Sequence, residues 1–273
     1  MQHHNPVRAA EEIGMLDNLT GGRVIMDFLR GIPSEDLPYS LNPTEGRDRL
    51  FEGMDLVLKA LTEPQPFSWE GGYYRFRTVS VCPRPVQQPL PPVIVATRSE
   101  SMIQYPADRR LGLAISYDSV DQVAKVTQKY KQLCQEAGWE PTPDQIVYRT
   151  SILLAETDSL AVDRLASLGL GERGLNLRSS LTQAVLAARE GREFDLRHPQ
   201  VLINGNQTAG ASRQPITFVG GPDTIIKGLK EFHEQCGLGV VDLGFQHSGT
   251  RHAEVMKGIK LFGREVLPEI KQF

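Results

Sequence analysis

The residues best suited to chemistry are a cluster of hydrogen-bond donors, with no obvious nucleophile and base. Thr97-Arg98-Ser99-Glu100-Ser101 follows the short apolar run Val93-Ile94-Val95-Ala96 and precedes a helix-like stretch. Free N–H groups at a helix start, together with hydroxyls and a guanidinium, can hold a phosphate. A Ser or Thr at such a junction also serves as a plain helix cap. Gly220-Gly221-Pro222-Asp223 has the same two readings, an anion-binding turn or a simple helix start. Neither segment carries the Walker A pattern or the dinucleotide-binding glycine fingerprint, and the chain lacks the Gly-x-Ser-x-Gly nucleophile signature.

Other candidates are single residues in unusual settings. His3 and His4 precede the first helix, where they could face a ligand or donate hydrogen bonds; adjacent histidines without suitably spaced carboxylates do not make a metal site. Asp27 interrupts the apolar run Val24 to Leu29, so a buried carboxylate is expected there, paired with Arg23 or Arg30 or placed at a pocket mouth. Tyr73, Tyr74 and Phe76 either line an apolar site or pack within a local hairpin.

Positioning these residues requires alternating strands and helices. A helix is expected from Asn5 to Leu19, with Asn5 as cap, Pro6 at the first position and Ala9, Ile13 and Leu16 along one side. A strand over 23–29 follows, its apolar character predicting a parallel sheet covered on both faces. Asn42, Pro43 and Glu45 open a second helix with Leu50, Met54, Val57, Leu58 and Leu61 buried. Further strands are expected at 93–97, 111–116, 146–154 and 239–245, with Asp118 capping the helix before Tyr130. The closing helix should turn Val255, Ile259, Phe262, Val266 and Ile270 inward, and the polar stretch 171–213 suits an insertion or lid.

Bulk properties narrow the function classes. Thirty Lys and Arg against 33 Asp and Glu give a net charge of -3, which excludes nucleic-acid binding by overall basic charge. No apolar run approaches the roughly 18 residues that span a bilayer, and the first residues lack a signal-peptide core, so a soluble, cytoplasmic protein is expected. Cys82, Cys134 and Cys236 are too widely spaced for a thiolate metal site and odd in number, so ordinary reduced thiols are expected.

Several stretches taken together resemble the bacterial-luciferase-like flavin-dependent monooxygenases. They are His4-Asn5-Pro6-Val7-Arg8-Ala9-Ala10-Glu11-Glu12-Ile13, Leu16 to Arg23, Phe76-Arg77 with Pro83 to Pro89, and Gly263 to Pro268. The resemblance implies an α/β fold of the (β/α)8 TIM-barrel type in a single domain over 1–273. It also implies reduced FMN and oxygen acting on a small organic substrate, a homodimer or heterodimer, and a separate flavin reductase. Thr97, Arg98 and Ser99 would meet the flavin phosphate, Arg30 would lie in a loop near the cofactor, Phe28 and Phe245 would pack near the ring, and His4 would be a polar contact. No metal and no catalytic side chain is implied.

The family commonly has a small residue where this chain has Asp27, a tyrosine at Asp36 and a serine or glycine at Arg98. Asp36 would repel the phosphate unless Arg98 or another cation compensates. The resemblance begins in the fourth barrel unit, so a barrel lacking its first three strands is expected. Five core strands, centred near Ile25, Ile94, Ala114, Thr150 and Val241, stand against the eight of a closed barrel. The Tyr73 and Ile216 segments, or another subunit, would then cover the open sheet. The alternatives are a deazaflavin-dependent oxidoreductase and a non-catalytic barrel partner of a longer paralogue.

Overall fold

In the computed structural model the described residues are 3–31, 33–36, 39–97, 99–167, 217–247 and 250–272. They divide into two compact units, 3–96 and 97–272. The expected insertion at 171–213 lies outside the described residues.

In the first unit, α1 (Pro6–Thr20) starts as anticipated: the Asn5 side chain accepts from Val7 N and Arg8 N, and Gly21 closes the helix at φ 64°. Its buried face is a different one. Pro6, Ala10, Gly14 and Asp17 point inward, while Leu16 is exposed. The apolar stripe misleads here because α1, which packs against α3 (Gly46–Thr62), also meets the backbone of Pro83 closely at Gly14. A short α2 (Pro33–Asp36) intervenes. The α3 stripe largely holds, with Leu50, Met54, Val57 and Leu61 buried and Leu58 half-buried. Asn42 accepts from Thr44 N at 3.1 Å and donates to Glu45 at 3.2 Å, within a 3-10 turn that precedes the helix.

β1 (Met26–Leu29) runs parallel to β4 (Val93–Ala96), in a register that pairs Met26 with Val93 and Leu29 with Ala96. Only one face of β1 is buried: Met26 and Phe28 point in, Asp27 and Leu29 out. Asp27 is therefore no buried carboxylate, and the penalty that would force a buried ion pair does not arise. β2 (Phe67–Glu70) and β3 (Arg75–Val79) form a separate antiparallel hairpin. The Glu52 carboxylate, on α3, accepts from Tyr73 N and Tyr74 N at 2.9 Å each and from the Trp69 indole at 3.2 Å, while Arg49 lies over the Tyr73 ring. These contacts place the tyrosines in local packing.

In the second unit, α4 (Glu100–Asp108), β5 (Gly112–Ser116) and α5 (Val120–Glu136) precede the long β6 (Ile146–Leu154). β6 is the spine. β5 pairs along its residues 146–149, β8 (Val240–Gly244) along 147–151, and β7 (Thr217–Gly220) along 151–154, all parallel. Thr217–Gly220 thus contributes a sheet strand, giving six strands in parallel pairs among the described residues where five were expected. The α5 cap is Ser119, whose hydroxyl accepts from Gln122 N; Asp118 instead accepts from Ser119 N.

α6 (Asp158–Ser167) and α7 (Pro222–Cys236) flank β7 in the sequence. α8 (His252–Leu261) runs through a π-helical turn at Phe262–Val266 into α9 (Leu267–Ile270). Val255 and Val266 are buried, as expected of the closing helix, whereas Ile259 is exposed. The core of this unit joins Ile103, Leu113, Val126, Tyr130, Ile146, Tyr148, Ile152, Phe232 and Cys236. Cys134 and Cys236 are free and buried, and burial pushes each thiol up to about 11.

Candidate functional site

The donor cluster lies where β4 hands over to α4. Thr97 is 8% exposed, its amide donates to Ala114 O at 2.9 Å, and its hydroxyl accepts from Ser99 N at 3.0 Å. Ser99 occupies the N-cap position with extended backbone but makes no side-chain cap bond. Its hydroxyl lies 2.8 Å from that of Ser101, and both residues are exposed. A serine at this position normally accepts from an amide two or three residues on. Here that acceptor is turned to a second hydroxyl, so the helix start is not closed by its own cap. Paired hydroxyls beside helix-start amides fit a phosphate group chemically. Arg98 and the Glu100 side chain lie outside the described residues.

The second turn considered for an anion already holds one. Gly221 N donates to Asp158 Oδ1 at 2.6 Å and the Thr224 hydroxyl donates to Oδ2 at 2.9 Å. The bond from the Gly221 amide, with that from Thr224, holds the Asp158 carboxyl below the ordinary carboxylate range. The chain's own carboxylate thus takes the place of a ligand at the start of α7.

In the first unit, Phe28 is 4% exposed, opposite Val95 in the β1–β4 register. Arg30 is half-buried and follows the last residue of β1. His4 is exposed. The engaged histidine is its neighbour: His3 Nε2 lies 2.8 Å from Asp36 Oδ1, and the His3 ring stacks on Tyr39 with centroids 5.0 Å apart. Asp36 is only 3% exposed. A partner of Asp36 is thus His3, contributed from 33 residues away. Sequence reasoning weighed His3 but gave the polar role to His4, because the pairing depends on how the segment before α1 meets the turn after β1.

Phe245 follows β8 and packs edge-on against Phe262 of the π turn, at 5.6 Å and 80°. Together with Ile152, Leu154, Thr250 and Val255 it lines a cavity of about 90 Å³. Ligand pockets for drug-sized molecules are roughly 300–1,000 Å³, so this cavity is too small for a flavin ring. Among the described residues no cluster of His, Cys, Asp and Glu could hold a metal, and no helix is long and apolar enough to cross a membrane.

Comparison with known proteins adds identity to this geometry. An alkanal monooxygenase beta chain from Photorhabdus luminescens is 28% identical over 137 residues, which is 50% of this chain and 42% of the relative. The chain thus spans less than half the length of that relative. Among solved structures, a monooxygenase from Streptomyces bottropensis superposes with a TM-score of 0.75 at 23% identity, covering 98% of this chain and 75% of the other. The oxygenating constituent of the type II Baeyer-Villiger 3,6-diketocamphane monooxygenase from Pseudomonas putida, in complex with FMN, gives 0.71 at 18% identity, covering 98% and 77%. An F420-dependent secondary alcohol dehydrogenase gives 0.69 at 15% identity, covering 98% and 76%. At these identities the structures carry the fold, the luciferase-like TIM-barrel type. The family model for luciferase-like monooxygenases matches residues 1–238, and the chain belongs to that family.

Proposed function

We propose that the chain binds FMN with its phosphate at the start of α4 and takes part in oxygenation of a small organic substrate by reduced flavin and oxygen. The observation that carries this reading is the Ser99 hydroxyl, which leaves the cap unmade and pairs with Ser101 at the open helix start. Thr97 fixes the turn by accepting from Ser99 N, and its own amide is tied to β5. The preorganised amides and hydroxyls then bind the phosphate without first having to be ordered. Arg98 and Arg30 supply positive charge for the phosphate, and His4 supplies a further polar contact. Phe28 and Phe245 act by packing, holding the ends of β1 and β8 in shape.

Reduced flavin, when bound, supplies the two electrons by which one oxygen atom of O2 enters the substrate while the other leaves as water. The chain's own contribution is binding, orientation and exclusion of solvent. Reduced flavin comes from a separate reductase, and the chain works as a homodimer or heterodimer. The family match and the FMN-bound fold relative favour this reading.

Anaerobic calorimetric titration with reduced FMN tests it. The expected result is binding that weakens about tenfold or more when Thr97 and Ser99 are both replaced by alanine, since hydrogen bonds to charged groups contribute about 1.5–3 kcal/mol. Binding that ignores those substitutions, or no binding at all, refutes the site. A parallel titration with deazaflavin decides between the two cofactor classes. A chain that binds neither and enhances turnover only when mixed with a longer paralogue would be a non-catalytic partner.

A further inference from the structure

We propose that the cavity at the C-terminal ends of β6 and β8 is a binding site for a short-chain aliphatic aldehyde or alcohol, whose oxygen is held by the Thr250 hydroxyl. The site does not depend on the phosphate reading above. Leu154 is the last residue of β6 and Phe245 follows β8, and with Ile152 and Val255 they give the cavity apolar walls. Thr250 also lines it, and its hydroxyl oxygen is enclosed from solvent without a hydrogen-bond partner. The backbone of Thr250 is by contrast engaged: its amide donates to His247 O at 3.1 Å and its carbonyl accepts from the Gln246 side chain at 3.4 Å. His247 Nε2 in turn donates to Ile152 O at 3.0 Å, which ties this stretch to β6. A hydroxyl is thus carried into an apolar cavity on a fixed backbone. Buried polar atoms are almost always hydrogen-bonded in native proteins, and a bound molecule supplies the missing partner.

Charge and size narrow that molecule. Arg164 and Glu254 line the cavity with side chains 31% and 33% exposed, and both charges are already answered, Arg164 by Glu156 at 3.2 Å and Glu254 by Arg251 at 2.6 Å. Among the described lining side chains the unanswered group is therefore a neutral hydroxyl, which suits a neutral ligand. An apolar cavity of about 150 Å³ takes benzene, with six non-hydrogen atoms, so the volume of about 90 Å³ here suits about four, such as three carbons and one oxygen. Water is the poorer occupant, because apolar walls leave it short of the two to four polar partners that fix an internal water.

Titration of the flavin-free chain with propanal and with 1-propanol tests the site, read by NMR at the methyl groups of Ile152, Leu154 and Val255. Either compound should shift these signals saturably, with a Kd in the millimolar range expected of so small a ligand. Thr250→Val keeps the shape of the side chain and removes the hydroxyl; binding should weaken about three- to tenfold, the loss of one neutral hydrogen bond. Gly258→Ala narrows the cavity, and its added Cβ would stand 3.5 Å from Phe245 Cδ1, an ordinary contact, so the chain should fold as the parent does and lose the ligand. Propionate, of similar size but charged, should leave the methyl signals unmoved. Absence of a saturable shift with both neutral compounds overturns the proposal, as does binding that ignores both substitutions. Propionate binding as tightly as propanal overturns the assignment of a neutral ligand.

Discussion

At Gly14, α1 closely approaches the connector before β4: a Cβ there would lie 2.2 Å from the backbone oxygen of Pro83. Helix propensity favours alanine over glycine by about 1 kcal/mol, while forcing a methyl group into a packed contact costs about 1–3 kcal/mol or more. The clash is with backbone, which cannot swing aside, so the steric effect wins. Gly14→Ala should lower the urea midpoint of unfolding; a raised midpoint would contradict the packing. One turn on, Asp17 is fully buried. Burial alone would raise its pKa, but hydrogen bonds from the Gln87 amide and side chain, together with the Val24 and Val86 backbone, hold the carboxyl below its usual range. A depressed folded-state pKa contributes stability above the unfolded value, about 3.9, which is lost as pH falls through the folded value. Asp17→Asn should therefore flatten the dependence of Tm on pH in the acid range, as read by melts between neutral and acid buffer. Neither feature was legible in the sequence. Gln87 is 70 residues from Asp17, and no local pattern marks the pair.

At the scale of elements, helices were legible where caps and apolar period agreed. The Asn5-Pro6 start of α1 and the buried stripe of α3 were both readable for that reason. The inward face of α1 was not, because a helix that packs through Ala10 and Gly14 hides its contact from any apolar-stripe argument. β1 likewise looked apolar enough for two buried faces, although only one is covered. The helix start at Ser99 was legible as a cap position, but whether the hydroxyl caps depends on its rotamer, which sequence does not fix. This distinction is measurable. Replacing an N-cap serine by alanine ordinarily costs about 1 kcal/mol, yet Ser99 makes no cap bond. Ser99→Ala should leave the unfolding midpoint where it is and weaken FMN binding. A drop in stability with unaltered binding would return Ser99 to a structural role.

For the whole molecule, strand identity was more legible than strand partnership. A period-two or apolar run marks a strand, but that β6 borders β5, β7 and β8 along different stretches of its nine residues is set by tertiary register. Surface chemistry followed the same rule. Leu16, on the apolar side read for α1, is 52% exposed, beside Met15 at 45% and Leu19 at 76%. Val86, 55% exposed, adjoins the end of that helix, its Cγ1 being 3.9 Å from where a Cβ on Gly22 would stand. Exposed apolar side chains grouped in this way suit an association face, and a dimer of the kind proposed would supply an occupant for it. Replacing Leu16 and Leu19 together by lysine should convert a dimer to monomer in sedimentation velocity. The unfolding free energy of the monomeric variant, compared with the dilute parent, should hold within about 0.5 kcal/mol, since exposed positions contribute little to the folded chain. If the parent sediments as a monomer at every concentration, this face is not an interface between copies, and a heterologous subunit becomes the partner to seek.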